Sequence, residues 1–304
     1  MSEARGGSRT PGGPRTFGGC RVLGGCRVLG GFRVLGGCRV PGRFRALALL
    51  LAAGVVAAAL LGPLLPLGSP DEVVGRPFAG PDAAHPLGTE LLGRDLLARV
   101  AAGGQGLVLE ALAATLIASA VGLAIGIRAG LRPSRVSDAA VRVVDAVAAL
   151  PALLVLLVLA AGAPGQPAAI VAAIALVSAP FSVRVIRQQT RIVAAADHVV
   201  IARARGDGIG SRLRHDILPG IRSVALADAG LRFIAALQLA AAAGFLGVGA
   251  SAPAADWGRM VREDVVGIRS NPLATLVPAG LLVAVALGVT LAVDATSRRQ
   301  GGGR

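Results

Sequence analysis

The side chains that could carry out chemistry in this chain are few, and their spacing does not predict an active site. The three histidines, His85, His198 and His215, lie between apolar stretches and form no Ser/His/Asp or metal-ligand pattern. The sequence has no lysine, which excludes a phosphate-binding loop of the G-x-x-x-x-G-K-[ST] type. We therefore predict no catalytic residue, no bound cofactor and no metal site, and we disfavour a membrane enzyme.

The cysteines Cys20, Cys26 and Cys38 belong to a repetitive amino-terminal segment. Their spacings differ from C-x2-C zinc patterns, so free thiols are expected. From Gly18 onwards a hexapeptide that starts with Gly-Gly recurs, and such frequent glycine opposes helix formation. We predict that residues 1–45 form a disordered, basic, low-complexity tail.

Acidic side chains within apolar stretches bear on proton or ion transfer. An ion-coupled secondary transporter would need acidic or histidine side chains deep in several membrane helices. Glu110 lies near the start of one apolar stretch, and Asp145 and Asp228 lie near the predicted cytoplasmic ends of two others. Because no relay at mid-membrane depth is predicted, this class is the less favoured alternative.

The elements that must position these residues are long apolar stretches. The 304 residues are 54% hydrophobic, with a mean hydropathy of +0.70, which exceeds that of soluble globular proteins. The stretches are continuous and about 20 residues long, as a helix that crosses a bilayer requires. We predict an all-α polytopic membrane protein with six transmembrane helices, at about 46–67, 106–127, 139–161, 168–183, 223–246 and 274–296.

The distribution of arginine predicts the orientation of these helices. The predicted cytoplasmic segments are 1–45, 128–137, 184–222 and 297–304. They hold 23 of the 31 arginines, so both termini are predicted in the cytoplasm (N-in, C-in). The enrichment of arginine in cytoplasmic segments also explains the net charge of +14, so no nucleic-acid partner is expected. The predicted organisation is a tail (1–45), a first helix (46–67), an external segment (68–105), a five-helix core domain (106–296) and a cytoplasmic tail (297–304).

The segment 184–222 is the strongest candidate for a binding surface. It carries eight arginines and is longer than a simple connector between membrane helices. Within it, 199–205 is predicted to be a short helix with small apolar residues, and Gly206 permits a sharp turn. A second segment, 209–217, is predicted to end at Leu218-Pro219. The alternative is a solvated basic loop at the lipid headgroups.

Three other groups of residues predict local structure. Turn-forming residues at 85–95 predict a turn that leads into a short amphipathic helix at the outer surface. Arg142 and Asp145 are three residues apart on one helix face and predict an ion pair near a helix end, or a role in conformational change. Trp257, the only tryptophan, is predicted to anchor the chain at the outer membrane interface.

These groups occur together, in order and at matching separations, in one known family. The chain resembles the second, C-type permease subunit of dipeptide, oligopeptide and nickel ABC importers, the binding-protein-dependent transport system inner membrane components. The resemblance covers roughly residues 46–290. The motif residues outside the cytoplasmic segment are Gly88, Thr89, Gly93, Arg94, Asp95, Arg142, Asp145, Pro151, Trp257 and Gly258.

The resemblance implies the fold of a type I ABC importer permease and a coupling site for an ATPase subunit. In such permeases the segment before the fifth helix carries the EAA motif, which docks in a cleft of the ATPase. The corresponding residues are Ala202, Arg203, Ala204, Arg205, Gly206, Leu218 and Pro219. The chain departs from the pattern at Val200, where the family usually has glutamate, and at Ile201, where it has alanine.

The resemblance also implies partners and a location. We expect a second permease subunit in a heterodimer, two cytoplasmic ATPase subunits that bind ATP and Mg²⁺, and an extracytoplasmic substrate-binding protein. The chain itself is expected to be a non-enzymatic, multi-pass protein of the bacterial plasma (inner) membrane. Di- or oligopeptides are the implied cargo, with nickel or another small solute as the alternative.

Overall fold

The computed structural model describes residues 42–301, except residue 133 and residues 250–253. The described part contains ten α-helices and, apart from two isolated bridges, no β-structure. The helices are α1 Gly42–Leu61, α2 Leu96–Leu131, α3 Arg135–Ala148, α4 Ala152–Gly162, α5 Pro167–Ala194, α6 Asp197–Ala204, α7 Ile209–Arg212, α8 Leu218–Leu246, α9 Trp257–Asp264 and α10 Pro272–Gly301. The predicted tail lies outside the described residues, together with its cysteines, except that residues 42–45 begin α1.

Four helices are long and apolar enough to cross a membrane. They are α2, α5, a continuous helix Ile209–Leu246 that includes α7 and α8, and Pro272–Ala292 within α10. Among the described residues, a shorter apolar helical segment, Ala53–Leu64, covers the end of α1 and the 3-10 turn Gly62–Leu64 that follows it. The described residues therefore contain four candidate spans, or five with the bent pair below, whereas the sequence predicted six.

The stretch predicted as one helix at 139–161 is a bent pair of helices. Ser137–Ala148 and Ala152–Gly162 meet at an angle of 86°. The break falls at Pro151, which lacks an N–H group and disfavours helical geometry in the residue before it. Helix α3 begins with a capping box in which the Ser134 and Ser137 side chains each accept a hydrogen bond from the other's backbone N–H.

Helices α2 and α5 pack closely because small residues line their contact. Gly126 of α2 leaves so little space that a Cβ atom there would lie 2.8 Å from the Cβ of Ile186. The successive close contacts are Gly122 with Ser182, Gly126 with Ile186, and Gly130 with Thr190. Residue numbers rise together along both helices, so α2 and α5 run parallel, and the segment between them must cross back over the bundle.

The buried apolar residues form one large cluster and two smaller ones. The large cluster includes Leu107, Leu156, Ile174 and Leu237, and it joins α2, α4, α5 and α8. A separate cluster lies where α5, α6 and α8 meet, and its buried members are Ile186, Val193, Val199, Ile217 and Ile221. This second cluster holds α6 against the rest of the helices.

Candidate functional site

The segment predicted as a long cytoplasmic loop at 184–222 is almost entirely helical. Helix α5 extends to Ala194, and the helix that contains α8 already begins at Ile209. The prediction that a segment ends at Leu218-Pro219 is therefore wrong. A π turn at Leu213–Ile217 continues directly into α8. Pro219 follows this π turn as the second residue of α8.

Helix α6 presents two different faces. Val199 and Ala202 are buried, with 3% and 2% of their surface exposed. Val200 and Ile201 are 53% and 55% exposed. The buried face holds this short helix in place. Its exposed pair of large aliphatic side chains is suited to dock against another protein.

Gly206 ends this helix in a Schellman motif. The N–H of Gly206 donates to the carbonyl of Arg203 at 3.1 Å, and the N–H of Asp207 donates to the carbonyl of Ala202 at 3.1 Å. Gly206 has a φ of +87°, which side chains with a Cβ atom rarely adopt. A Cβ atom there would meet nothing within 4 Å, so the requirement for glycine comes from the backbone alone.

Arginines surround the exposed end of α6. Arg203 and Arg212 line a cavity of about 350 Å³ that Val199, Val200 and Ile209 also border. Arg205 is mostly exposed and lies 3.3 Å from Asp207. The surface near α6 therefore combines exposed apolar side chains with positive charge.

The outer segment before α2 is held together by a polar network. The Thr89 hydroxyl donates to the carbonyl of Arg76 at 2.6 Å and accepts from the N–H of Ala79 at 2.8 Å. The Asn271 amide, just before α10, donates to the carbonyls of Leu87 and Thr89. A side chain at Gly88 or Gly93 would clash with nearby backbone carbonyls. Sequence reasoning did not single out Asn271, since its partners are distant in the chain.

Asp95 begins α2 as its N-cap and accepts a hydrogen bond from the N–H of Ala98 at 3.1 Å. The sequence predicted a short amphipathic helix after this turn. That prediction is wrong, because the helix continues for 36 residues into the apolar stretch without a break. Residues 96–105 of the predicted external segment are therefore part of α2.

A buried charge cluster lies beside this turn. Arg99 Nε is 2.7 Å from a carboxylate oxygen of Glu90, and both side chains are almost fully buried. Arg94 lies 3.7 Å from Glu90 and 3.4 Å from Asp71. The sequence motif identified Arg94, but it did not identify Glu90 or Arg99 as its neighbours. In the sequence, Glu90 lies only four residues before Arg94 and nine before Arg99. This short separation could have predicted the charge cluster.

Burial changes the acidity of two carboxyl groups in this outer region. It raises the pKa of Glu90 to about 7, although the charge of Arg99 opposes the change. It also raises the pKa of Asp264 to about 6, although a hydrogen bond from the Leu91 N–H favours the ionised form. Both groups therefore hold a proton more readily than ordinary surface carboxyl groups do.

Trp257 is an interior residue, so its prediction as an interfacial anchor is wrong. Its side chain is 2% exposed, and its indole N–H donates to the carbonyl of Val100 at 2.8 Å. Adjacent glycines on α2, Gly103 and Gly104, leave room for the ring. Gly258 lies so close to the carbonyl of Ala241 that a side chain would not fit. These two residues therefore pack α9 against α2 and α8.

The ion pair predicted between Arg142 and Asp145 is replaced by a contact between helices. Asp145 accepts a hydrogen bond from Arg184 Nε at 2.6 Å. In the same way, Asp138 accepts from Arg187 of α5. Helix α3 lies against α5, so its carboxylates reach the arginines of the neighbouring helix.

Asp228 is part of an ion pair within α8. It lies on the third turn of α8, is 4% exposed, and pairs with Arg232 at 3.4 Å. The guanidinium carbon of Arg232 lies 5.3 Å from the ring centre of Phe181 on α5, within the range of a cation–π contact. The sequence hypothesis did not include Arg232.

Comparison with known proteins adds an independent observation. Residues 122–301 match the family model described as binding-protein-dependent transport system inner membrane component. Over 247 residues, or 81% of each chain, the sequence is 30% identical to the dipeptide transport system permease protein DppC of Alkalihalophilus pseudofirmus. Over 181 residues, it is 31% identical to the probable D,D-dipeptide transport system permease protein DdpC of Escherichia coli, covering 60% of this chain and 61% of that one. A solved structure of the MetNI methionine ABC transporter in an inward-facing conformation aligns with 63% of this chain and 93% of that chain, at 20% identity and a TM-score of 0.49.

Proposed function

The chain belongs to the family of binding-protein-dependent transport system inner membrane components, and we propose that it is the C-type permease subunit of an ATP-driven importer of di- or oligopeptides. It is a multi-pass protein of the bacterial plasma membrane and a permease of the ABC importer class. The peptide cargo is proposed because relatives at about 30% identity are named as dipeptide permeases.

In this proposal, α6 is the coupling helix. The observation that carries it is the division of α6 into a buried face, at Val199 and Ala202, and an exposed apolar face, at Val200 and Ile201. The cluster around Ile217 and Ile221 ties α6 to the start of α8, so a force on α6 would reach a membrane helix. An aliphatic ridge replaces the glutamate and alanine that the family usually has at positions 200 and 201.

The proposed topology has six spans, with both termini in the cytoplasm. The arginine-rich segments support this orientation. The parallel packing of α2 and α5 supports the count, because the bent pair α3–α4 then crosses the membrane as one span between them. Helix α8 begins beside the end of α5, where Gly220 lies against Val193, so it returns in the opposite direction.

The proposed partners follow from this role. A second permease subunit would complete the pathway as a heterodimer, two ATPase subunits would bind ATP and Mg²⁺, and a substrate-binding protein would deliver cargo to the outer segments. This chain itself would bind no cofactor. ATP-driven closure of the ATPases would move α6 and shift the permease between inward- and outward-facing states.

The coupling role of α6 is tested by a matched pair of glycine substitutions. Gly206→Ala should strain a backbone with a φ of +87°, at a cost of about 1–2 kcal/mol, and displace the end of α6. Gly208→Ala introduces the same methyl group two residues later, where φ is −60° and no atom lies within 4 Å. We expect Gly206→Ala to lower ATP-dependent peptide uptake by roughly tenfold and to weaken retention of the ATPase subunits during purification in mild detergent.

The control variant Gly208→Ala should behave as the wild type, and both variants should retain the second permease. Full uptake by Gly206→Ala would contradict the assignment of α6. Purification of the wild-type chain without ATPase subunits, combined with absence of ATP-dependent uptake, would contradict the importer proposal as a whole.

A further inference from the structure

Three adjoining cavities surround the carboxyl-terminal end of α2. The largest of the three, of about 660 Å³, lies between α2 and the helix that begins at Ile209. The other two, of about 530 Å³ and 350 Å³, adjoin it, because Arg132 lines all three. Arg128 lines the two larger cavities, and Arg212 lines the smallest. We call the three cavities together the α2-end groove.

The groove lies where the membrane-spanning part of α2 ends. The 17 residues between Glu110 and Arg128 carry no charge. At 1.5 Å per residue they extend about 26 Å, close to the ~30 Å of a hydrocarbon core. The contact between Gly130 and Thr190 places the arginine-rich end of α5 at the same level. Arg128 and Arg132 therefore lie at the membrane–water boundary, which is the cytoplasmic one in the proposed topology.

The part of the groove that extends into the membrane is apolar. Its wall on α2 consists of small and aliphatic residues: Ala120, Leu123, Ala124, Ile127 and Leu131. From Ala120 to Arg132 the wall extends about 18 Å along the helix axis, which is comparable with one leaflet of a ~30 Å core. The groove therefore combines arginines at the boundary with an apolar surface that runs from them into the membrane.

The charge of the groove is entirely positive. The described residues that line it include no acidic residue and four arginines: Arg128, Arg132, Arg203 and Arg212. None of these arginines forms an ion pair with a described carboxylate. The Nε atom of Arg212 is buried and has no hydrogen-bond partner among the described residues. Because a buried N–H group without a partner is costly, an anionic group that accepts from it would stabilise the groove.

We propose that the α2-end groove binds an anionic phospholipid of the cytoplasmic leaflet, with its phosphate at Arg128, Arg132 and Arg212 and one acyl chain along α2. Basic pockets between membrane helices on the cytoplasmic side bind such headgroups. The choice of leaflet rests on the proposed topology. Val200 of α6 also lines the smallest cavity, so the bound headgroup lies beside the proposed coupling helix.

Charge and position disfavour other occupants of the groove. A second copy of this chain would bring the same arginines to it, and the amino-terminal residues 1–41 are also rich in arginine. The ATPase subunits are proposed to dock at α6 from the cytoplasm, so they do not reach the apolar wall within the membrane. The remaining competitor is the second permease, and labelling in the assembled complex tests for it.

Photo-crosslinking tests the proposal. The full-length chain, with the subunits that co-purify with it, is reconstituted in phosphatidylcholine vesicles that contain a trace of phosphatidylglycerol with a diazirine in its acyl chain. Illumination should label peptides from residues 120–131, and a phosphatidylcholine probe with the same chain should label them about tenfold less. Equal labelling by the two probes would overturn the proposal. So would absence of labelling at 120–131, the result expected if the second permease covers the groove.

Matched variants test the residues. Arg128→Gln/Arg132→Gln should lower labelling by the phosphatidylglycerol probe about tenfold. Arg191→Gln/Arg214→Gln removes two exposed charges from neighbouring α5 and the π turn that line none of the three cavities, so it should label as the wild type. An equal loss in both double variants would mean general attraction to the basic surface and would overturn the site.

A third variant tests the apolar wall separately from the arginines. Ala124→Trp fills the wall at an exposed position and should also lower labelling by the phosphatidylglycerol probe, whereas wild-type labelling would contradict the placement of the acyl chain. An unchanged size-exclusion profile shows that each variant is folded. These measurements require neither ATP nor peptide, so their failure would leave the proposed function in place. Loss of ATP-dependent uptake in the wild type would contradict only the proposed function.

Discussion

Glu90 and Asp264 show how single side chains in the outer region respond to burial. Both carboxyl groups lie next to arginines or backbone N–H groups that favour the ionised form, yet burial raises the pKa of each. Loss of contact with water therefore outweighs the neighbouring charges. The stability of the outer segment should consequently depend on pH in a range where ordinary carboxyl groups do not titrate.

The substitution Asp264→Asn should reduce the pH dependence of stability. The pKa of Asp264 is about 6 in the folded protein and near 3.8 when unfolded, so folding is favoured by protonation. This stabilisation is complete below about pH 4 and is lost as the pH rises through about 6, at up to ~1.4 kcal/mol per pH unit. Asparagine keeps an oxygen that can accept from the Leu91 N–H but does not titrate.

Thermal unfolding of the detergent-solubilised protein between pH 4 and pH 7 measures this effect. The wild type should become more stable as the pH falls, and Asp264→Asn should show a smaller change. Glu72→Gln, at an exposed position, should keep the wild-type dependence. Identical pH profiles for the wild type and Asp264→Asn would show that Asp264 is not the responsible group.

At the scale of elements, the contact between α2 and α5 depends on glycines at every fourth residue. Gly122, Gly126 and Gly130 bring the backbones of two parallel helices together. Small residues serve this purpose in membranes because van der Waals packing must replace the hydrophobic driving force between helices. This closely packed pair lies next to the bent segment α3–α4, which has only short helices on either side of Pro151.

A matched pair of alanine substitutions on α2 tests this packing. Gly126→Ala would place its Cβ 2.8 Å from the Cβ of Ile186 and 3.0 Å from the backbone nitrogen of Arg187, so the helices must separate. The expected cost is about 1–3 kcal/mol. Gly106→Ala, where nothing lies within 4 Å, should be neutral or stabilising.

The measurement is thermal stability in the same detergent, together with the yield of the complex that contains the second permease. Gly126→Ala should lower the unfolding temperature, whereas Gly106→Ala should not. Equal stability of the two variants would mean that α2 and α5 tolerate separation.

At the scale of the whole molecule, the energy source separates the proposed importer from an ion-coupled transporter. Two carboxylates of the described helices pair with arginines, Asp228 with Arg232 within α8 and Asp145 of α3 with Arg184 of α5. A proton pathway would need several such groups at successive depths. In the proposed function, transport draws instead on ATP hydrolysed by separate subunits.

Collapse of the proton gradient by a protonophore, in vesicles with an ATP-regenerating system, tests this expectation. Dipeptide uptake should persist at close to its initial rate, and it should stop when ATP is depleted while the gradient is kept. The opposite pattern would favour the ion-coupled alternative.

The sequence by itself determined the class of protein and much of the candidate coupling site. The length of the apolar stretches indicated a membrane protein, because a helix of about 20 residues matches the bilayer thickness. The motif residues around Ala202 and Gly206 indicated the family, and Gly206 indicated the end of α6, since its turn depends only on local backbone geometry. These features depend on residues that are close together in the sequence, so composition and spacing are enough to predict them.

The tertiary structure decided which distant residues meet. Asp145 pairs with Arg184 of α5, and Arg232 packs over the ring of Phe181 on α5. The indole of Trp257 packs against α2, and the Asn271 amide donates to the turn at Thr89. The same residue types at the same spacing would allow lipid-facing or intrahelical arrangements. Packing selects among these arrangements, because it fixes which helix faces approach one another. It thereby also fixes which buried polar groups must form hydrogen bonds with each other.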